Sequence, residues 1–188
     1  MSDNYHHGNL RQALIDAGVK IINEEGEDKR SLRKVAAACE VSHAAPYAHF
    51  KDKEELLAGI KSSVTERFME ELKKAIKRTK NSEQAILFMG QTYVSFFSHN
   101  PDYFKFLFAS QKLVAHLRMD KEYPDDYPPF LLLKNTYKKY LSEKNMKIDY
   151  KEQEAGLLKI WSSVHGLSAI ACMTGVETSV DWDNIELI

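Results

Sequence analysis

Leu56, Ile60, Val64, Phe68, Leu72 and Ile76 place an apolar side chain at every fourth position from residue 56 to residue 76. Side chains four apart lie on one face of an α-helix, whereas a strand would need alternation. Asp52 and Glu55 stand just ahead of the stripe at the spacing of a capping box. The chain therefore contains one long helix, and everything before and after it must find a place along that rod. Only 8 Gly and 5 Pro punctuate the 188 residues, and no alternating pattern lasts long enough for a strand. The fold class expected is all-α.

Other segments repeat the helical pattern. Leu10, Leu14, Ala17 and Ile21 mark a helix from about Asn9 to Glu24, which the charged EEGEDK segment ends. Ser31 can cap a short helix with Leu32, Val35 and Ala36 inward, and after the CEVS break Ser42 is a second candidate cap. Ile86, Gly90, Tyr93 and Phe97 form a later stripe, broken at Asn100-Pro101. The segment from Pro101 to Leu117 is expected to be helical in one or two pieces, and the acidic, Pro-rich stretch Met119–Pro129 to be a loop. Phe130, Leu133, Tyr137 and Leu141 open another helix. Asp149 and Glu152 repeat the capping-box spacing ahead of a last helix running to about Met173.

With 44% hydrophobic and 28% charged residues and a net charge of −1, the chain has the composition of a soluble globular protein. A nucleic-acid partner would therefore need a local basic face. Cys39 and Cys172 fit no metal or redox spacing and suit a reducing compartment, and the polar N-terminus is no secretory signal. Ile160–Val176 lacks formal charge but holds His, Gly, Ser and Thr. It is expected to be a helix buried on most sides, not a membrane span. No Ser-His-Asp spacing, glycine-rich phosphate loop or metal-ligand cluster occurs. His165 and Cys172 are seven apart on one helix, roughly 10 Å along its axis, too far for direct proton transfer. The expectation is a cytoplasmic protein that is not an enzyme and needs no cofactor or metal.

Two short helices joined by a tight turn, before the long one, describe a helix-turn-helix unit. The second helix of such a unit enters the major groove. Ala44, Ala45 and Ala48 would permit close approach, and Pro46 falls where a missing N–H costs least. Tyr47 and His49 can donate to phosphate oxygens, while His43 can meet a base edge or a phosphate. Arg30, Arg33, Lys34, Lys51 and Lys53 can add charge to the same face. Phe50 reads as core.

The segment SLRKVAAACEVSHAAPYAHFKDKEELL resembles the DNA-binding signature of the TetR family of bacterial transcriptional regulators. Val41, Ser42, Tyr47, Phe50, Lys53, Glu54 and Leu56 occupy matching positions. The resemblance implies a DNA-binding domain over residues 1–60, with its helix-turn-helix at about 31–50, and a helical ligand-binding and dimerisation domain over 61–188. The DNA contacts it implies are Arg30, Ser31, Arg33, Ser42, His43, Ala44, Ala45, Tyr47, His49 and Lys53. One departure is Glu40, where the family usually has Gly. A left-handed backbone there would suit Glu less well than Gly. Through Glu55 there are 8 Lys and Arg against 10 Asp and Glu, a net of −2, which implies few phosphate ion pairs and a shallow salt dependence.

Trp161, His165 and Gly166 resemble the Trp-His-Gly pattern of one class of TetR C-terminal domains. Trp161 and His165 are four apart and can stack. The resemblance implies a ligand-responsive regulator, a repressor on a palindromic double-stranded DNA operator. It would act as a homodimer through the last two long helices, about Pro129–Asn145 and Asp149–Met173, and be released by an unidentified small-molecule effector. The alternative is a helical small-molecule-binding or interaction module with weakened or lost DNA binding. The candidate cavity residues are Phe88, Gln91, Phe104, Phe108, Trp161 and His165, with Gln91, His99, Gln111 or His116 to orient a ligand.

Overall fold

The computed structural model describes residues 10–25, 32–108 and 113–186. Seven α-helices and one 3-10 helix occur among them, and no strand. In chain order they are α1 (Leu10–Glu25), α2 (Leu32–Ala38), the 3-10 helix Ala45–Ala48, α3 (Lys53–Ile76), α4 (Ser82–His99), α5 (Pro101–Phe108), α6 (Pro128–Glu143) and α7 (Tyr150–Ala171). The protein is all-α, with an N-terminal helix-turn-helix region and a helical C-terminal region.

The stripe of fours becomes α3, a rod of roughly 36 Å. Leu56, Ile60, Val64, Phe68 and Leu72 are all buried on it. The Asp52 carboxylate accepts from the Glu55 N–H at 2.9 Å, and the Glu55 carboxylate accepts from the Lys51 N–H at 2.7 Å. α7 begins with a complete capping box at Asp149 and Glu152.

The N-terminal half of α3 packs on α1. A Cβ on Gly18 of α1 would stand 2.4 Å from the end of the Ile60 side chain, so a larger residue there would have to push that side chain aside. Its C-terminal half packs on α4 and α6. Phe68, at mid-helix, touches Tyr93, Phe96 and Phe97 of α4 at ring separations of 5.3, 4.9 and 4.9 Å. One continuous core results. α5 bridges its two ends, lying against α1 on one side and α4 and α7 on the other. The Arg67 guanidinium, 3.0 Å from Asp16, adds a tie between α3 and α1.

Three expectations need correction. Residues 113–118 are not helical. The Tyr127 N–H donates to the Val114 carbonyl and the His116 N–H to Asp126, so this segment pairs with the following loop. Ser42 does not cap a helix: the 3-10 helix starts three residues later, with Ala44 at its cap position and no side-chain cap bond. Nor is α7 buried on most sides. It buries Leu157, Val164 and Ser168, while Leu158, Ile170 and, just beyond it, Met173 are exposed. Among the described residues no helix is long and apolar enough to cross a membrane.

Candidate nucleic-acid interface and candidate cavity

α2 ends in a left-handed turn. The Val41 N–H returns to the Ala36 carbonyl and the Glu40 N–H to the Ala37 carbonyl, which is the Schellman pattern with Glu40 in the left-handed position, at φ 56°. From there the chain runs as overlapping tight turns. Ala45 N–H donates to Ser42 O, Tyr47 N–H to Ala44 O, and both His49 and Phe50 N–H to Pro46 O.

Two side chains anchor the segment: Pro46 is buried and Phe50 is 1% exposed, with the Arg11 guanidinium 5.0 Å above its ring. Around these anchors Ser42, His43, Ala44, Tyr47 and Ala48 are exposed, while Ala45 and His49 are half-buried. Tyr47, 59% exposed, is the most open large apolar side chain among the described residues. Arg33 on α2 and Lys51 and Lys53 at the start of α3 are also exposed. Arg30 and Ser31 lie outside the described residues. The segment thus offers a hydroxyl, two imidazoles and a phenol on small side chains. These groups can donate to phosphate oxygens and meet base edges.

The second candidate site is a cavity where α3, α4, α6 and α7 meet. Tyr93, Phe108, Tyr127, Phe130 and Trp161 supply its rings, and Leu72, Ile86, Met89, Leu133, Ile160 and Val164 fill the gaps. Its volume is about 30 Å³, room for about two waters. The Tyr93 hydroxyl lies 2.9 Å from His165 Nδ1. Phe104 and Phe108 flank the His165 ring at 4.9 and 4.8 Å, and Trp161 meets it edge-on at 6.2 Å.

Burial keeps these groups neutral. It holds the Tyr93 phenol well above its ordinary value, raises that of Tyr127 to about 12 and the Cys172 thiol to about 11, and lowers the His165 imidazole. The Tyr127 hydroxyl is buried without a hydrogen-bond partner. Thr65 is close enough to favour its anion slightly, but no bond of good geometry joins them.

The six residues expected at a cavity fall in two places. Phe108 and Trp161 are in its wall, and Phe104 and His165 stand against them. Phe88 and Gln91 lie elsewhere, with His99, in an open groove of about 490 Å³ beside Arg78 and Asp183. The C-terminal tail lies along this groove. The Gln91 amide donates to the Ile185 carbonyl at 3.2 Å, and His99 is 3.5 Å from Asp183. Gln111 is outside the described residues.

His116 belongs to a third cluster. Its Nδ1 is 2.8 Å from Asp126 Oδ1 and its ring stacks on Tyr123 at 4.0 Å. Lys134, fully buried, donates to the His116 carbonyl at 2.9 Å and lies 3.6 Å from Asp126. Sequence reasoning missed Tyr127 and Phe130. Their signal was the apolar residues flanking the prolines at 128 and 129, read there as loop and helix start. Asp126 and Lys134 gave no signal, since one acid in an acidic loop and one lysine in a helix read as solvated.

Residues 14–60 match the family described as "Bacterial regulatory proteins, tetR family". No curated protein matches the chain by sequence. Among solved structures, a protein of unknown function from Rhodococcus sp. RHA1 is similar with a TM-score of 0.74 at 21% identity, over 94% of this chain and 91% of that one. A TetR-like transcriptional regulator, also from Rhodococcus sp. RHA1, is similar with a TM-score of 0.61 at 18% identity, over 90% and 87%. The protein AibR, solved with isovaleryl coenzyme A and operator DNA, gives 0.60 at 14% identity over 84% and 85%. The chain has the fold of TetR-like regulators.

Proposed function

We propose that this chain is a member of the tetR family and acts as a ligand-responsive DNA-binding transcriptional regulator. It would be a repressor that binds a palindromic operator as a homodimer and leaves it when a small molecule occupies the C-terminal cavity. The observation that carries this reading is the exposed segment Ser42–His49, held by Pro46 and Phe50 within the stretch that matches the family. Residues 1–60 then form the DNA-binding domain and 61–188 the effector and dimerisation domain, for which Trp161, His165 and Gly166 support a Trp-His-Gly class. Arg33, Ser42, His43, Ala44, Ala45, Tyr47, His49 and Lys53 contact DNA, joined by Arg30 and Ser31. The protein works in the cytoplasm, without cofactor or catalysis.

Support for the dimer comes from the outer face of α7. Leu158, Ile170 and Met173 are exposed, and a Cβ on Gly166 would meet nothing within 4 Å. A second copy packed on α6 and α7 would cover this apolar surface. Two-fold symmetry then sets half-sites about 34–36 Å apart, or a multiple of that. Coupling runs through α5. Phe104 and Phe108 reach the cavity region, while the same helix packs on α1 of the DNA-reading end. A ligand that parts the rings displaces α5 and changes the spacing of the two reading segments. Operator DNA must weaken ligand binding by the same factor.

The test is selection of bound sequences from a random duplex pool with the purified protein at low salt. A palindrome should be enriched, and Tyr47→Ala should weaken binding to it about tenfold or more. One observation favours a second reading, a module that no longer binds DNA: Glu40 is exposed beside the reading segment, in a region of net negative charge. That reading is right if an intact, folded dimer enriches nothing even after unfolding, ligand removal and refolding.

A further inference from the structure

We propose that the effector is an uncharged, compact, largely apolar molecule bearing one hydrogen-bond acceptor, caged by Tyr93, Phe108, Tyr127, Phe130 and Trp161 with its acceptor on the Tyr127 hydroxyl. This rests on the regulator reading and specifies the chemistry of its cavity.

The wall contains no charged residue. An ionic ligand placed there would lose its hydration with nothing opposite to replace it. The one buried Lys or Arg among the described residues is Lys134, and its ammonium already serves the His116 carbonyl and Asp126. It is therefore no counter-ion for a carboxylate or phosphate. Burial drives the tyrosines, His165 and Cys172 around the cavity to their neutral forms, so the surroundings resist charge of either sign.

The acceptor follows from hydrogen-bond accounting. Tyr93 is committed to His165, whereas the Tyr127 hydroxyl is buried and makes no hydrogen bond of good geometry, with only the Thr65 hydroxyl near it. Buried donors in folded proteins are nearly always paired. A carbonyl or ether oxygen on the ligand would pair this one.

Size follows from the walls. The empty volume suits about two waters, so an organic ligand enters only as side chains part. Met89 is unbranched and adaptable, and Ile86, Phe108, Ile160 and Trp161 are only half-buried. Leu72, Tyr93 and Val164 are held in the core. That allows a ring or a branched chain, not a bulky conjugate. The open groove beside Arg78, Glu71 and Asp183 offers no such enclosure.

The experiment uses the full-length protein and four probes: acetophenone, 3-methyl-2-butanone, ethylbenzene and benzoate. Binding is followed by calorimetry and by Trp161 fluorescence, with Trp182→Phe removing the other indole. At least one ketone should bind. Ethylbenzene, which has the ring of acetophenone without its oxygen, should bind roughly tenfold more weakly than acetophenone, and benzoate should not bind measurably at pH 7.5. Tyr127→Phe removes only an unpaired hydroxyl, so it should fold, and it should bring acetophenone down to the level of ethylbenzene. Ile86→Phe, which fills the cavity, should weaken both.

The proposal is overturned if benzoate binds as well as acetophenone, if Tyr127→Phe leaves the ratio of acetophenone to ethylbenzene unchanged, or if neither ketone binds. Operator selection reads the regulator hypothesis separately. An enriched operator with no response to neutral probes overturns only the ligand chemistry, whereas probe binding without any operator overturns only the regulator.

Discussion

The two candidate sites are built in opposite ways. In the proposed reading segment, Pro46 and Phe50 anchor the chain, and Ser42, His43, Ala44 and Tyr47 stand outside the core. In the C-terminal region the cavity's rings belong to the core: Tyr93 and Phe108 of its wall touch each other and Phe97, and Tyr93 also touches Phe68. Function and stability are therefore separable at one end and joined at the other. A surface that binds a rigid, charged duplex needs only to be held in place. A cavity that must open for a ligand has to spend core packing to do so.

The largest effect should come from the joined end. Phe68→Ala removes a fully buried ring from the centre of α3 and should destabilise the fold by about 3–5 kcal/mol in denaturant titration. Tyr47→Ala should change stability by less than about 0.5 kcal/mol, although under the proposed function it should weaken operator binding. A loss above about 1 kcal/mol for Tyr47→Ala would break the comparison, because the reading segment would then be part of the core. Next comes Lys134→Met, which leaves the Asp126 carboxylate buried with only the backbone and ring nitrogens of His116 beside it. Its expected cost is about 3 kcal/mol or more, and adding Asp126→Asn should recover much of it.

A smaller effect is set by pH. Burial depresses the His165 pKa in the folded state, so the unfolded chain takes up a proton first as pH falls. Stability from neutral His165 is complete above the unfolded value of about 6.5. It is lost progressively as pH falls from there toward the depressed folded value. Chemical denaturation from pH 7.5 to pH 5.5 should show this loss, and His165→Gln should flatten the slope. An unchanged slope would mean that solvent reaches the imidazole as freely as it does in the unfolded chain.

Periodicity made the helices legible. The stripe of fours gave α3 with its cap at Asp52, and the second capping box gave the start of α7 at Asp149. Long, amphipathic elements carry their signal in many residues at once. What remained hidden depends on partners distant in sequence. Residues 113–118 follow an aromatic run that reads as helix, yet the Tyr127 N–H and the Asp126 carboxylate draw them into an extended path. Phe88 and Gln91 share a helix with Tyr93 but face the C-terminal tail, and no local pattern distinguishes two faces that are both rich in apolar groups. The uncharged stretch of α7 reads as buried because composition does not say whether a helix is covered by its own chain. Ser42 failed as a cap because Ala45–Ala48 is a single 3-10 turn, shorter than periodicity resolves.

Glu40 gives the smallest effect and the sharpest contrast between the two ends. The same Schellman turn closes α2 at Glu40, φ 56°, and α6 at Asn145, φ 51°. Asparagine tolerates the left-handed region and glutamate does so poorly. Glu40→Gly should therefore stabilise the fold by about 1 kcal/mol, and Asn145→Gly by only a few tenths. Glu40→Gln keeps the strained backbone and removes the charge. If strain and charge act independently, Gln should strengthen operator binding without raising stability, and Gly should do both. Equal stability gains from Gly and Gln would place the penalty in the charge of Glu40 and not in its backbone. A gain for Gly alone, with unchanged DNA affinity in both, would show that Glu40 lies too far from the duplex to repel it, and the acidic balance of the N-terminal region would then argue nothing against DNA binding.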